Sequence, residues 1–347
     1  MSSAACTGGI ILCVCLAMAL SGCSAEQGTA PADIAEQKVE ADVRTERPRD
    51  RSSFVHDPST IVKCKDEYWL FSTGRGVRSR RSKDLLTWQS GPQVFLSPPA
   101  WAAEAVPGNR GYFWAPDVIG LQNRFLLYYS VSRWGVNTSA IALATTLTLD
   151  PDDPDYGWTD LGIVIRSDEG DDFNAIDPAV TQDAKGNLWL AFGSFWSGIK
   201  LIQLDPSTGK RISPDSPIYS LAYHDSIEAP FIFSHGGYHY LFVNWGLCCR
   251  RTNSTYNIRI GRSAEITGPY LDKNGADMLE GGGSLFLETK GQSIGPGHAG
   301  IISEGDTDWL SYHYYDGNRR GSATLALRRL RWNADGWPEI LEPPDSN

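Results

Sequence analysis

Residues 175–192 read Ala175-Ile176-Asp177-Pro178-Ala179-Val180-Thr181-Gln182-Asp183-Ala184-Lys185-Gly186-Asn187-Leu188-Trp189-Leu190-Ala191-Phe192. The run Leu188-Trp189-Leu190-Ala191-Phe192 is apolar throughout and carries no helical period, so it reads as a strand. The polar turn before it, Asp183 to Asn187, follows another short strand, which makes the pair a hairpin. A further run, Ile199-Lys200-Leu201-Ile202, extends it to a meander of at least three strands.

The same unit recurs along the chain. Tyr68-Trp69-Leu70-Phe71-Ser72, Phe125-Leu126-Leu127-Tyr128-Tyr129, His239-Tyr240-Leu241-Phe242-Val243 and Trp309-Leu310-Ser311-Tyr312-His313 are the matching runs. Each first strand opens with a polar signature: His56-Asp57-Pro58, Ala115-Pro116-Asp117, Ile176-Asp177-Pro178, Glu228-Ala229-Pro230 and His298-Ala299-Gly300. Asp57 to Trp69, Asp177 to Trp189, Glu228 to Tyr240 and His298 to Leu310 are each twelve positions apart, while Asp117 to Leu126 is nine. A meander cannot bury both faces alone, so five copies predict an all-β, five-bladed propeller with four-stranded antiparallel blades. The first strand of each blade is then innermost, and its polar start points to one end of the central channel.

Composition agrees with a repeat. The chain has 347 residues, 41% hydrophobic and 21% charged, at the upper size for a single core. A formal charge of −10 argues against nucleic acid or an anionic membrane surface as main partner. Twelve Trp, 14 Tyr and 12 Phe suit a neutral ligand with flat faces.

Asp57, Asp177 and Glu228 place an acid at the start of three different blades. One Asp-Pro alone is ordinary turn chemistry. Three that converge are not required by turns, and two carboxylates flanking a bond are what glycoside hydrolysis uses: one protonates the departing oxygen, the other activates water or attacks the sugar. A third acid nearby raises the pKa of the proton donor by like-charge repulsion.

At residues 52–340 the sequence resembles glycoside hydrolase family 43 and, within it, the α-1,5-L-arabinanases. The resemblance rests on Val55-His56-Asp57-Pro58-Ser59, Phe113-Trp114-Ala115-Pro116-Asp117-Val118, Tyr128-Tyr129-Ser130-Val131-Ser132, Ala175-Ile176-Asp177-Pro178, Gly193-Ser194-Phe195-Trp196, Glu228-Ala229-Pro230-Phe231, Cys248-Cys249-Arg250 with Asn253-Ser254-Thr255-Tyr256, and Gly295-Pro296-Gly297-His298-Ala299-Gly300, in that order. It implies inverting hydrolysis of arabinan, with Asp57 as general base, Glu228 as general acid and Asp177 tuning and positioning that acid. It also implies that His298 holds an ion in the channel, often calcium, with waters completing a shell that one imidazole cannot supply.

Trp114 and Trp196 are the expected sugar platforms, since the C–H face of a sugar stacks on an indole. Ser194, Asn137 and Asn174 lie close enough in sequence to the motifs to reach substrate hydroxyls. Cys248-Cys249 reads either as a vicinal disulfide or as two small residues in a turn. His235 and His239 flank Gly236-Gly237 in a hairpin and do not face together as metal ligands.

The N-terminus reads separately. Residues 1–22 carry no charge, and Leu20-Ser21-Gly22-Cys23 resembles a bacterial lipobox. The expected organisation is a lipoprotein signal peptide at 1–22, lipidation at Cys23, a solvated tether at 23–51 and the propeller at 52–347. Export to the cell envelope follows, with the membrane engaged only through the anchor and the domain acting as a monomer. The leading expectation is an endo-acting arabinanase. The same propeller also suits an exo-arabinanase, an arabinofuranosidase or a xylosidase, and a glycan-binding lipoprotein without catalysis is the alternative of another class.

Overall fold

The computed structural model describes residues 54–341. The expected signal peptide, the tether and Cys23 lie outside them. The described chain runs through five antiparallel sheets in sequence order, the five-bladed β-propeller that the spacing predicts. Blade 1 holds Val62–Cys64, Glu67–Ser72, Arg78–Ser82 and Gln89–Ser90; blade 2 holds Tyr112–Leu121, Arg124–Val131, Ser139–Thr146 and Thr159–Ser167. Blade 3 is Ala179–Gln182, Leu188–Phe192, Ile199–Leu204 and Tyr219–Ala222; blade 4 is Ile227–His235, Tyr238–Trp245, Asn257–Ser263 and Ser284–Leu287. Blade 5 is Ser293–Glu304, Thr307–Asp316, Ser322–Trp332 and Pro338–Ile340. Blade 2 gains a fifth, two-residue strand, Gly74–Arg75, which pairs with Tyr112 and Phe113 and ties it to blade 1.

The second strands are apolar because they have no wet side. Leu188–Phe192 is buried along its whole length, as is Glu67–Ser72 from Tyr68 onward. A strand with a hydrogen-bonded neighbour on either edge and a blade against either face shows an unbroken apolar run instead of alternation. The turns carry the punctuation. Gly236 and Gly237, at φ 59° and 84°, close the hairpin of blade 4, and a two-residue turn with both φ values positive matches the twist of its strands.

The hydrophobic clusters lie between blades. Trp69, Phe71, Phe113 and Tyr129 join blades 1 and 2; Leu126, Tyr128, Leu190 and Phe192 join blades 2 and 3. A larger cluster runs from Trp189 through Tyr240 and Phe242 to Leu310 and Trp337, joining blades 3, 4 and 5. The ring closes where Leu70 and Tyr68 of blade 1 meet Trp309, Leu325 and Leu327 of blade 5. The closure is also hydrogen-bonded. Phe54 bridges to Thr324, and the Val55 N–H donates to the Ala323 carbonyl at 3.3 Å, so the segment ahead of blade 1 pairs with blade 5.

From blade 1 to blade 5 the first strand of each blade packs on the first strand of the next. The polar signatures do not all fall at strand starts, however. In blades 2, 4 and 5 they sit inside the first strand, at register shifts between Trp114 and Asp117, Glu228 and Phe231, and Gly297 and Gly300. Asp57 and Asp177 precede theirs.

Candidate active site

One backbone feature repeats five times at the channel. Asp57, Ala115, Asp177, Ala229 and His298 all have left-handed backbones, with φ between 39° and 62°. Such non-glycine residues cost of order 1–3 kcal/mol each and persist only where the surroundings hold them. Here a hydrogen bond from the preceding blade holds each one. Ala115 N–H donates to Thr73 Oγ1 at 2.8 Å, Asp177 N–H to Ser130 Oγ at 3.0 Å, and His298 N–H to Asn244 Oδ1 at 2.8 Å. Asp57 N–H donates to His313 Nδ1 at 3.1 Å, which carries the ring across its closure.

Blade 4 breaks the pattern. Ala229 N–H donates to the Asp177 carboxylate, Oδ2, at 3.1 Å. Ser194, just past the second strand of blade 3, instead donates its hydroxyl to Glu228 Oε2 at 2.7 Å. Glu228 thus stands one residue ahead of the left-handed position that Asp57 and Asp177 occupy. The equal twelve-residue spacing conceals this offset, which on a flat strand would turn a side chain to the other face. The kink at Ala229-Pro230 lets Glu228 join the other two acids.

Asp57 is held as a carboxylate. Its Oδ2 lies 2.8 Å from His56 Nδ1 and accepts the Thr73 hydroxyl at 2.5 Å, and its Oδ1 lies 3.7 Å and 3.8 Å from Nδ1 of His298 and His313. Burial opposes ionisation, but the charge and hydrogen bond of His56, with lesser help from His298 and His313, hold its pKa well below the usual range. Glu228 is the opposite case. Burial and the nearby Asp57 charge raise its pKa, against the opposing effect of donors on both oxygens: Ser194 on Oε2 and the Tyr256 phenol on Oε1. Asp177 is pushed well above its ordinary value by burial first, then by the charges of Glu228 and Asp57. The site therefore sets one carboxyl whose pKa is held down beside two whose pKa values are raised, the contrast that acid–base chemistry uses.

The remaining candidate residues take varied places. Trp196 is exposed and has a left-handed backbone. Trp114 is half-buried and lies against the exposed Trp134, ring centroids 5.4 Å apart. Asn137 has its Nδ2 committed to the carbonyls of Asp168, Asp171 and Phe173, so it braces that loop. Asn174 is buried, and its Oδ1 has no hydrogen-bond partner among the described residues. His298 is buried, and its pKa is lowered by burial, which leaves a neutral imidazole. Cys248 and Cys249 are joined as a vicinal disulfide.

Seven residues of the site have no role assigned from the sequence: Thr73, His56, His313, Tyr256, Trp134, Ser130 and Asn244. His56 and Tyr256 stand inside quoted motifs, and adjacency to Asp57 was a usable signal for His56. Thr73 and His313 follow from no local pattern, because each acts on a left-handed residue of the next blade.

The chain is similar to known proteins across the whole propeller. The model of glycosyl hydrolases family 43 matches residues 51–338. An extracellular exo-α-(1→5)-L-arabinofuranosidase of Cellvibrio japonicus is 42% identical over 302 residues, 83% of this chain and 86% of that one. An extracellular endo-α-(1→5)-L-arabinanase of Bacillus subtilis is 42% identical over 295 residues, 83% of this chain and 88% of that one. The solved structure of a Cellvibrio cellulosa α-L-arabinanase in complex with arabinohexaose superposes with a TM-score of 0.80 at 40% identity, covering 83% of this chain and 96% of that one. By sequence, fold and the match across the whole propeller, the chain belongs to family 43 of the glycosyl hydrolases.

Proposed function

We propose that this protein hydrolyses α-1,5-L-arabinofuranosidic bonds within arabinan, endo-acting and with inversion. The observation that carries the reading is the split between Asp57, whose pKa the neighbouring imidazoles hold down, and Glu228, whose pKa burial raises. In one displacement Asp57 takes a proton from water as that water attacks the anomeric carbon, and Glu228 gives its proton to the departing oxygen. Asp177 forms with Glu228 a pair of carboxyls whose mutual repulsion makes its last proton hard to lose, and it ties down the peptide that follows Glu228. Trp196 and the Trp114–Trp134 pair are the walls on which sugar rings stack. Both similar enzymes act on arabinose-containing glycans, one from chain ends and one internally, so the mode of attack is the point to test. Linear arabinan digested briefly is expected to yield a ladder of oligomers. A single short product from the first time point would make the enzyme exo-acting. Absence of turnover on every arabinose or xylose polymer would favour a glycan-binding protein.

The same proposal includes a calcium ion at His298. The donor chemistry fits in part: the imidazole is neutral and Asp57 Oδ1 lies 3.7 Å away, and waters would supply the remaining oxygens that calcium prefers. His313 Nε2 is buried without a partner among the described residues, which leaves one polar group for such a water. A bound cation would add positive charge beside Asp57 and favour its ionised form. Chelation followed by calcium addition is expected to lower and then restore the melting temperature. The N-terminal reading completes the proposal: acylation at Cys23 anchors a monomeric, exported enzyme, and Cys23→Ser is expected to move it from the membrane to the soluble fraction.

A further inference from the structure

The loop of residues 246–256, between the second and third strands of blade 4, reaches both reacting carboxylates. At one end the Tyr256 phenol donates to Glu228 Oε1. At its tip the Cys249 N–H donates to the Tyr315 hydroxyl oxygen at 2.7 Å, that oxygen lies 2.9 Å from His56 Nε2, and His56 Nδ1 lies 2.8 Å from Asp57 Oδ2. A backbone N–H can only donate, so the Tyr315 oxygen accepts from Cys249 and the hydroxyl is held against His56 Nε2, while His56 Nδ1 faces the Asp57 carboxylate. Stacking of His56 on His313, centroids 4.4 Å apart, fixes the plane of the ring.

The loop is braced at its base and stapled at its tip. Thr255 N–H donates to the Leu247 carbonyl at 3.1 Å, Ser254 Oγ donates to the same carbonyl at 2.9 Å, and Leu247 N–H donates to Thr255 Oγ1 at 3.0 Å. Beyond them Cys249 and Arg251 have left-handed backbones, and the Cys248–Cys249 disulfide closes a small ring around the peptide whose N–H meets Tyr315. Cys249 is exposed, and its Sγ lies 3.7 Å from His56 Nε2.

We propose that the vicinal disulfide Cys248–Cys249 is a redox-sensitive positioning device that orients Asp57 through Tyr315 and His56. The inference rests on the reading of Asp57 as the base. Reduction by a phosphine breaks the S–S bond: each sulfur gains a proton from water, and the phosphine is oxidised to its oxide by the oxygen of that water. The freed Cys249 peptide then no longer fixes the Tyr315 hydroxyl, and the imidazole loses the partner that holds its Nε2 side. Asp57 keeps its place in the fold but loses its aim at the attacking water.

The test treats the full chain with a water-soluble phosphine, with differential alkylation of the peptide containing Cys248 and Cys249 to read the redox state. Reduction is expected to lower kcat about tenfold, since small misplacements of a reacting group are costly, with KM within about twofold and recovery on reoxidation. Tyr315→Phe keeps the ring but removes the hydroxyl, so it is expected to show the lowered kcat already and to lose the response to reduction. A kcat that ignores reduction in the wild type, or a Tyr315→Phe enzyme that still responds to it, overturns the proposal. Two free thiols in the untreated, air-exposed protein do so as well. An oxidised wild type without turnover instead defeats the hydrolase reading itself.

Discussion

Asp177 Oδ2 accepts the Ala229 N–H at 3.1 Å, where the other four blade junctions use the hydroxyl, amide or imidazole of Thr73, Ser130, Asn244 or His313. The acid thus does two things at once. It anchors the peptide after Glu228 and sets a second carboxyl beside it. Asp177→Asn leaves an oxygen for the N–H but breaks the pair of carboxyls whose mutual repulsion makes its last proton hard to lose. The alkaline limb of kcat/KM is therefore expected to move to lower pH, with kcat reduced by about ten- to a hundredfold. A pH profile with an unmoved alkaline limb contradicts this role.

Tyr256 acts on Glu228 with the opposite sign. A donor to the ionised carboxylate lowers its pKa, so removing the donor raises it further. Tyr256→Phe is expected to move the alkaline limb to higher pH, with kcat reduced about tenfold because the acid is less firmly placed. Opposite displacements in Tyr256→Phe and Asp177→Asn, measured on one substrate, are the signature of Glu228 as the proton donor.

Asp57→Asn and Glu228→Gln change protonation chemistry more than shape. Each is expected to lower turnover of arabinan by about 10³-fold or more while calorimetry still detects oligosaccharide binding. The two separate on an aryl arabinofuranoside with a good leaving group. Such a group departs without protonation, so Glu228→Gln regains activity there and Asp57→Asn does not. Equal recovery in both variants would mean that the roles are misassigned.

Asp117 contributes to stability instead. Its two oxygens accept the backbone N–H groups of Thr60 and Val180, both at 2.8 Å, joining blades 1, 2 and 3. Burial outweighs these bonds and pushes its pKa up to about 6, from 3.8. Between those values the folded chain holds a proton that the unfolded chain has lost. This contribution is therefore present below pH 4 and lost as pH rises to about 6, for about 3 kcal/mol in all. Denaturant melts of the wild type against Asp117→Asn are expected to differ by that slope across pH 4–6. Parallel curves would show that Asp117 is ionised throughout.

The blade count, the order of the strands and the set of three acids were legible in the sequence because each is a local pattern. A strand covered on both faces must be an apolar run, a hairpin must have its turn residues, and the runs at Trp69, Leu127, Trp189, Leu241 and Leu310 recur accordingly. The ring of hydrogen bonds was decided only by the tertiary structure. Thr73, Ser130, Asn244 and His313 act on residues of the next blade, and no pattern within one blade encodes its neighbour. The one-residue offset of Glu228 has the same origin: equal spacing along the chain does not reveal which residue takes the left-handed backbone, and here Ala229 takes it. The chain could announce which acids it carries, but their different pKa values arise from burial and from His56, Tyr256 and Ser194, which only the closed ring brings to them.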